Sequence, residues 1–457
     1  MARDVSDATP IESRDQLVAA LESGCKPREA WRVGTEHEKF GFYRSDLSPV
    51  PYGGDRGIRR LLEIMTGLLG WRPIEDDGRI IGLTDPIGLG AITLEPGGQF
   101  ELSGAPLATI HQTCREMNAH LAQVREAAAP LGIGFLGMGF SPKWTLAETP
   151  RMPKSRYEIM ARYMPKVGSR GLDMMYRTCT IQANLDFSNE ADMVRKVRVG
   201  LALQPIVTAL FANSPFTDGK PNGYQSYRAA TWLDTDADRT GMLPFAFEDG
   251  FGFERYIDWA LDVPMYFVKR GSRYYDVAGS SFRDLLAGKL DKVPGERATA
   301  SDLENHLSTL FPDVRLKRFL EMRGADAGPN RRICAVSAFW VGLLYDQDSL
   351  DAAWDVVKDW TAAEREALRH AVPATAIRTP FRNRTVADIA GEVVALAREG
   401  LRRRENLDEE GLDETMYLSS LEETIATGET PADRVLREYA DDWGGNVDRV
   451  FLRNAFF

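Results

Sequence analysis

The chain has 457 residues, 44% of them hydrophobic, which is enough to form the core of one large domain or of two to three modest ones. Its 56 Lys and Arg residues against 67 Asp and Glu residues give a net charge of -11. No basic block could follow a phosphate backbone, which argues against a nucleic-acid partner.

The first residues of the chain, 1–7, lack the apolar core of a signal peptide. No apolar run elsewhere reaches the roughly 18 residues that a membrane span requires. These patterns predict a cytoplasmic protein that does not bind membranes. The four cysteines are too widely spaced for a disulfide scaffold or a CxxC zinc site: Cys25, Cys114, Cys179 and Cys334.

Strand-like and helix-like segments alternate along the chain without a low-complexity linker or a repeat, which predicts one interwoven α+β unit. Ser13 followed by Gln16 resembles a capping box and predicts a first helix. Apolar residues spaced by three and four predict a longer helix from about Leu107 to Ala128, with Cys114 facing the core. The predicted strands are Trp31 to Phe42, Ala91 to Phe100 with its Pro-Gly-Gly turn, Ile133 to Phe140, Cys179 to Phe187 and Phe319 to Arg323.

The chain beyond about Ser349 is predicted to be helical and heavily charged, with apolar stripes typical of packing helices. We therefore expect a single domain over residues 1–457. Its sheet-based core would extend to about residue 348, and the helical C-terminal part, from about residue 349, would pack on that core.

Two segments resemble familiar motifs, but neither has the sequence context that the motif requires. Residues Gly132 to Gly137 match the dinucleotide fingerprint GxGxxG, but Met-Gly-Phe-Ser-Pro follows where a helix should begin, so we expect a closely packed glycine-rich strand. His37 and Glu38 begin like the zinc motif HExxH, yet Gly41 occupies the position of its second histidine.

Glutamates and amides recur at every second position of strand-like segments. Residues i and i+2 of a strand face the same side, so Glu36 would lie beside Glu38, and Gln99 beside Glu101. Such crowding is costly unless a cation is bound there. For any single strand, including the one that contains Gln182, the alternative is a half-exposed sheet that turns its polar side to water.

Repetition of this pattern favours a metal site. The acidic residues offer oxygen ligands without a cluster of imidazoles or thiolates, which predicts a hard cation such as Mg²⁺, or Mn²⁺. The glutamates concerned are Glu36, Glu38, Glu95, Glu101 and Glu321. Because magnesium in proteins usually accompanies phosphate, the pattern points to a phosphate ligand.

Arginines complete the predicted site. Arg323 lies two residues beyond Glu321 and would share its face, while Arg177 and Arg239 are further candidates whose alternative is an ordinary surface position. Metal ions and arginines together stabilise the charge that spreads during phosphoryl transfer. The chain has no P-loop, which leaves a sheet-based metal and phosphate site.

Four segments closely resemble glutamate-cysteine ligase of the plant and proteobacterial type: Gly34-Thr-Glu-His-Glu-Lys-Phe-Gly41, Leu94-Glu-Pro-Gly-Gly-Gln-Phe-Glu-Leu-Ser-Gly104, Arg177-Thr-Cys-Thr-Ile-Gln-Ala-Asn-Leu-Asp-Phe187 and Phe319-Leu-Glu-Met-Arg-Gly-Ala-Asp326. The resemblance runs from about Trp31 to about Tyr345 and implies a fold similar to the catalytic domain of glutamine synthetase, a curved, mostly antiparallel sheet forming a funnel with helices outside. It also implies ATP-dependent joining of the glutamate γ-carboxylate to the cysteine amine, in a monomer or homodimer.

The roles of individual residues are implied by this resemblance only. It implies metal ligands at Glu36, Glu38, Glu95, Glu101, Gln182 and Glu321. Arg323 and Arg239 would contact the phosphates and Arg177 the glutamate, while Met265 and Tyr266 either form part of the cysteine pocket or belong to the core. Plant members contain a disulfide whose surroundings match Cys114 and Cys334; two reduced thiols are the alternative.

Two other functions stay open. A related ligase acting on a different amine, or serving another thiol pathway, would use the same metals. A non-catalytic protein, whose acidic strands bind metal or face solvent, would neither turn over ATP nor require Arg323.

Overall fold

The computed structural model describes residues 7–87 and 89–457, so most of the N-terminal stretch on which the localisation prediction relied lies outside it. In chain order the strands are β1 (Val33–Tyr43), β2 (Arg72–Asp76), β3 (Arg79–Thr84), β4 (Ala91–Leu94), β5 (Phe100–Ser103), β6 (Ile133–Leu136), β7 (Thr180–Leu185), β8 (Phe216–Thr217), β9 (Lys220–Pro221), β10 (Thr240–Gly241), β11 (Phe267–Arg270), β12 (Arg273–Asp276), β13 (Phe311–Pro312), β14 (Val314–Leu316), β15 (Leu320–Asp326), β16 (Pro380–Phe381) and β17 (Arg384–Thr385).

Helices separate and follow these strands. They are α1 (Arg14–Glu22), α2 (Ile58–Leu69), α3 (Ile110–Ala128), α4 (Ser155–Tyr163), α5 (Gly171–Arg177), α6 (Glu190–Phe211), α7 (Tyr227–Trp232), α8 (Phe253–Asp262), α9 (Phe282–Leu286), α10 (Ala300–Ser308), α11 (Asn330–Leu344), α12 (Gln347–Val357), α13 (Ala362–Thr375), α14 (Val386–Arg404), α15 (Ser419–Thr427), α16 (Pro431–Asp441) and α17 (Val450–Arg453).

Among the described residues, nine strands form one antiparallel sheet in the order β14-β15-β7-β1-β5-β4-β3-β2, and the ninth, β6, pairs with the far end of β1. The eleven residues of β1 reach all three neighbours: the first half pairs with β7 and β5, and the second half pairs with β6. Residues on both faces of β1 are buried. Polar side chains of this strand are therefore carried into the interior of the protein.

The predicted elements are mostly present, with shifted ends. The capping box of Ser13 and Gln16 begins α1 as predicted. Helix α3 begins at Ile110, later than predicted, because the hydroxyl of Thr109 accepts the Gln112 N–H and caps it. The strand predicted from Ala91 to Phe100 is in fact the hairpin β4–β5, since its Pro-Gly-Gly segment forms the turn.

The segment with the apparent dinucleotide fingerprint is the strand β6, as predicted. A Cβ atom on Gly134 would lie 2.6 Å from the ring of Phe42, and Gly132 has a φ of +66°. The glycines therefore serve close packing and a left-handed turn, so their spacing needs no nucleotide ligand to explain it.

A disulfide bond joins α3 to α11. The Sγ atoms of Cys114 and Cys334 are 2.10 Å apart, across 220 positions of sequence, and both residues are buried. Cys114 thus faces the core, as its helical spacing predicted. Cys25 and Cys179 are not disulfide-bonded.

One hydrophobic cluster includes side chains from Ile11 to Leu421, so it contains residues of the C-terminal helices as well as of the sheet. We propose on this ground that the sheet-based core and the C-terminal part form one domain. Within the described ranges, no helix is long and apolar enough to cross a membrane.

Helices α11 and α14 approach each other at two glycines. A Cβ on Gly400 would lie 1.9 Å from the carbonyl oxygen of Gly342, whereas one on Gly391, also in α14, would meet only a methyl group of Ile425 at 3.7 Å. The close approach of backbones at Gly400 therefore leaves no space for a side chain.

We expect Gly400→Ala to destabilise the protein by about 1–3 kcal/mol through overpacking. Gly391→Ala is the matched control, and it should be neutral or stabilise by about 0.5–1 kcal/mol because alanine favours helices. Thermal denaturation of both variants measures the difference. Equal midpoints would contradict the proposed contact.

Candidate active site

Carboxylates from three adjacent strands line one cavity, here called the main cavity, with an empty volume of about 720 Å³. Glu36 and Glu38 project from β1, and Glu101 lies opposite Glu38 on β5. Gln182 lies opposite Glu36 on β7, and Glu95 follows the end of β4. The predicted pairs of residues i and i+2 therefore do face the same space.

Hydrogen bonds hold these carboxylates. The Thr180 N–H donates to Glu38 Oε2 at 2.9 Å, and the Thr93 hydroxyl donates to Glu101 Oε2 at 2.5 Å. The Tyr157 hydroxyl lies 3.2 Å from both oxygens of Glu95. Supporting hydrogen bonds of this kind fix the direction of the carboxylate oxygens, as a pre-organised binding site requires.

The carboxylates also raise one another's affinity for protons. Burial raises the pKa of Glu38 well above its ordinary value, and the charges of Glu95 and Glu101 add to that effect. Burial and the charge of Glu101 raise the pKa of Glu95 to about 7. A cation in the main cavity would offset this repulsion and favour the charged carboxylates.

Cations surround Glu321, which lies beside the main cavity. Arg315 Nη2 is 2.5 Å, Lys317 Nζ 2.6 Å and Arg323 Nη1 3.4 Å from its carboxylate. Burial would raise the pKa of Glu321, but these charges outweigh it and keep that pKa well below its usual range. Arg323 also donates to Gln182 Oε1 at 2.7 Å, so it connects the cations around Glu321 to the acidic lining of the main cavity.

The candidate ligand atoms suit magnesium, because the predicted ligands that line the main cavity offer only carboxylate and amide oxygens. Five of the six predicted ligands line the main cavity, and Glu321 lies beside it among cations. Within residues 7–87 and 89–457, however, no three Asp, Glu, His or Cys side chains converge closely enough to hold a metal ion. Binding would therefore require these side chains to move together.

Arg177 is not in the lining of the main cavity. Its Nη1 donates to Asp173 at 3.0 Å and its Nη2 to Asp218 at 2.5 Å, while its guanidinium carbon lies 4.7 Å from the ring of Phe140. The predicted contact with glutamate stays a prediction.

Arg239 forms a separate buried cluster. It donates to Asp236 at 2.6 Å and to the carbonyl oxygens of Pro264 and Thr309, and it stacks at 4.0 Å on the ring of Tyr266. Met265, beside Tyr266, is 1% exposed. The structure thus does not bring Arg239, Met265 or Tyr266 to the main cavity.

Sequence reasoning missed several polar residues of the cavity wall, among them Arg156, Tyr157, Arg228 and Arg315. The alternation of Arg315 with Val314 and Leu316, as in a strand, was a usable signal. Arg156 and Arg228 lie in short helices, where no periodic pattern marks them.

A second cavity, of about 520 Å³, adjoins the main one. The residues that line both are Arg228, Trp232, Phe311 and Arg323. Two arginines therefore separate an acidic chamber from a neighbouring one, which places guanidinium groups within reach of ligands on either side.

A family model and curated relatives that match this sequence are all named glutamate-cysteine ligase. A family model described as glutamate-cysteine ligase family 2 matches residues 32–453. A relative from Nicotiana tabacum named glutamate-cysteine ligase, chloroplastic, is 58% identical over 444 residues, 97% of this chain and 83% of the relative. One of the same name from Arabidopsis thaliana is 57% identical over equal shares.

A solved structure of glutamate-cysteine ligase from Francisella tularensis, in complex with AMP, superposes with a TM-score of 0.55. The superposition covers 93% of this chain and 87% of the Francisella chain at 12% sequence identity, so the likeness concerns the fold alone. It confirms the predicted fold class, a mixed fold of helices and antiparallel sheet.

The predicted cytoplasmic location is wrong. The relatives from tobacco, Brassica juncea, rice and Arabidopsis thaliana are all named chloroplastic, and this finding overturns the prediction. The prediction rested on missing apolar segments, and chloroplast transit peptides are amphipathic and Ser-rich, so that criterion could not detect such a location.

We expect Mg²⁺ to raise the thermal midpoint of the protein, because a ligand that binds only the folded state at 100 times its Kd stabilises it by about 2.7 kcal/mol. Glu101→Gln should abolish most of that shift. The control is Glu116→Gln, whose carboxylate accepts the Ala105 N–H and is not in the lining of the main cavity. A full shift in Glu101→Gln would contradict the proposed metal site.

Proposed function

The chain belongs to the glutamate-cysteine ligase family 2, and from this membership we propose that it joins the γ-carboxylate of glutamate to the amine of cysteine. ATP is consumed, and γ-glutamylcysteine, the product of the first step of glutathione biosynthesis, is formed. The observation that carries the proposal is identity of 57–58% to ligases over 97% of the chain. The main cavity adds the acidic and cationic groups that such a reaction needs.

The chemistry requires activation of a carboxylate. A carboxylate is a poor acyl donor because its leaving group would be oxide, so transfer of the ATP γ-phosphoryl group to glutamate creates a good leaving group. The cysteine amine then attacks the acyl phosphate. The protein must position three substrates and stabilise negative charge, without forming a covalent bond of its own.

Arg323 is the group best placed to bind phosphoryl oxygens. It lines both cavities, and the adjacent Glu321 and Gln182 hold one of its guanidinium nitrogens. Arg315 and Lys317 add positive charge, and only Glu321 neutralises them directly in the described structure. Negative charge that develops on phosphoryl oxygens is stabilised beside such fixed cations.

The four glutamates that line the main cavity, Glu36, Glu38, Glu95 and Glu101, would hold magnesium together with the amide oxygen of Gln182, and Glu321 is a further predicted ligand. When bound, the ion would neutralise phosphate charge. Tyr157, Thr93 and the Thr180 N–H orient the carboxylates that bind it. Each guanidinium nitrogen of Arg239 donates to a group of the protein itself, so we propose that it supports the wall around Tyr266 without touching phosphate.

The direct test is phosphate release from ATP by the purified chain with magnesium and glutamate, with and without cysteine. We expect turnover that depends on cysteine, with γ-glutamylcysteine identified by mass. A panel of other amines is the control for specificity. Turnover with another amine only would change the pathway, and no turnover with any amine would contradict the ligase proposal.

Arg323→Lys should lower kcat/KM by about 100-fold or more, because a point charge cannot reproduce the planar fork of donors. Arg318→Lys is the matched control on the same hairpin, since Arg318 is exposed and pairs with Glu304. Steady-state kinetics of both variants decides the matter. Wild-type rates for Arg323→Lys would remove Arg323 from the phosphate site.

Glu36→Gln and Glu321→Gln should each abolish activity with the fold retained, because each removes a charge from the site without opening the core. Circular dichroism and activity measured on the same samples would show this. If Glu321→Gln keeps full turnover, Glu321 serves neither as a metal ligand nor as the counter-ion of the arginines.

A further inference from the structure

Arg228 lies in the wall between the two cavities and has spare hydrogen-bond donors. It is the second residue of α7, its side chain is 4% exposed, and it lines both cavities. Nη2 donates to the carbonyl oxygen of Arg323 at 2.9 Å, but Nε has no partner among the described residues. The paired carboxylate, Asp326, is 4.0 Å from Nη1, beyond hydrogen-bonding distance.

A buried guanidinium with unused donors is costly unless a ligand supplies acceptors. The guanidinium fork matches two oxygens of a carboxylate or phosphoryl group better than any neutral group. The position of Arg228 beside Arg323 therefore suits an anionic oxygen of a substrate.

Asp326, at the end of β15, is fully buried and organised by three donors. Its Oδ1 accepts the Ser226 hydroxyl at 2.8 Å. Its Oδ2 accepts the Ser214 hydroxyl at 2.7 Å and the Asn213 N–H at 2.9 Å. A Cβ on Gly139 would lie 2.3 Å from Asp326 Cγ, so the carboxylate packs directly against the backbone of Gly139.

The same two hydroxyls also accept hydrogen bonds from the first turn of α7. Ser214 Oγ accepts the N–H of Arg228, and Ser226 Oγ accepts the N–H of Ala229, both at 3.1 Å. Because each hydroxyl proton points to Asp326, an oxygen lone pair remains for each amide. One carboxylate thereby fixes two consecutive backbone groups of the turn that carries Arg228.

We propose that Asp326 is a positioning residue of the ligase reaction. Through Ser214 and Ser226 it holds Arg228 with its unused donors directed at an anionic oxygen of a substrate, a carboxylate or a phosphoryl oxygen. The inference rests on the proposed function and extends it to residues that lie outside the metal-binding strands.

A double-mutant cycle tests the proposal, with kcat and KM measured for glutamate, ATP and cysteine. Arg228→Ala should lower kcat/KM by about 100-fold and Asp326→Asn by about 10-fold, and the double variant should be no worse than Arg228→Ala alone. A change confined to glutamate identifies the carboxylate as the oxygen bound, and a change confined to ATP identifies the phosphoryl group.

Two further variants separate positioning from stability. Asp186→Asn alters another buried aspartate, bound by Lys26 and by the Arg32 N–H outside both cavities, and should lower the thermal midpoint without changing kcat/KM. Ser226→Ala removes one of the two hydroxyls and replaces Asp326→Asn in the cycle if that variant does not fold.

Multiplicative losses in the double variant, or unchanged kcat/KM in Asp326→Asn and Ser226→Ala, would overturn the inference while the wild-type chain remains an active ligase. A wild-type chain without cysteine-dependent turnover would instead overturn the proposed function, and the inference with it. The two failures are thus distinguishable in one set of assays.

Discussion

Burial of several like charges around one cavity is the constraint on which the architecture depends. Burial raises the pKa values of Glu38, Glu95 and Glu101, and neighbouring glutamates add to that effect. Such an arrangement persists only where the surrounding structure imposes it. The antiparallel pairing of β1 with β5 sets Glu38 opposite Glu101, and hydrogen bonds from backbone and hydroxyl groups hold both. The cations around Glu321 balance the acidic end across the same cavity.

The acidic face was predictable because strand periodicity is local. Once Glu36 and Glu38 are assigned to a strand, their common direction follows from geometry, and the Pro-Gly-Gly turn brings Glu95 and Glu101 together. The capping box at Ser13 was equally local. Helix α6 escaped detection, since it is buried on nearly all sides and shows no polar face to mark its period.

The remaining features of the site depend on tertiary contacts that no local sequence pattern reveals. In β1 the residues that alternate with the glutamates, His37 and Lys39, are also polar and buried, so alternation could not show which face lines a cavity. Arg228 reaches the site through α7, and only folding brings it beside Arg323. Arg239 shows the converse, because the resemblance implied a phosphate contact, whereas each of its three guanidinium nitrogens donates to a group of the protein itself.

The disulfide between α3 and α11 has a topological consequence for the site. The glutamates of the acidic end precede Cys114, whereas Arg228, Arg315 and Arg323 lie between Cys114 and Cys334. A single proteolytic cut between these two cysteines therefore leaves both halves of the cavity covalently joined, and electrophoresis without a reductant would show a chain of undiminished mass. A cut in the exposed hairpin around Leu407 has no such bridge across it and would release the C-terminal segment from the covalent chain.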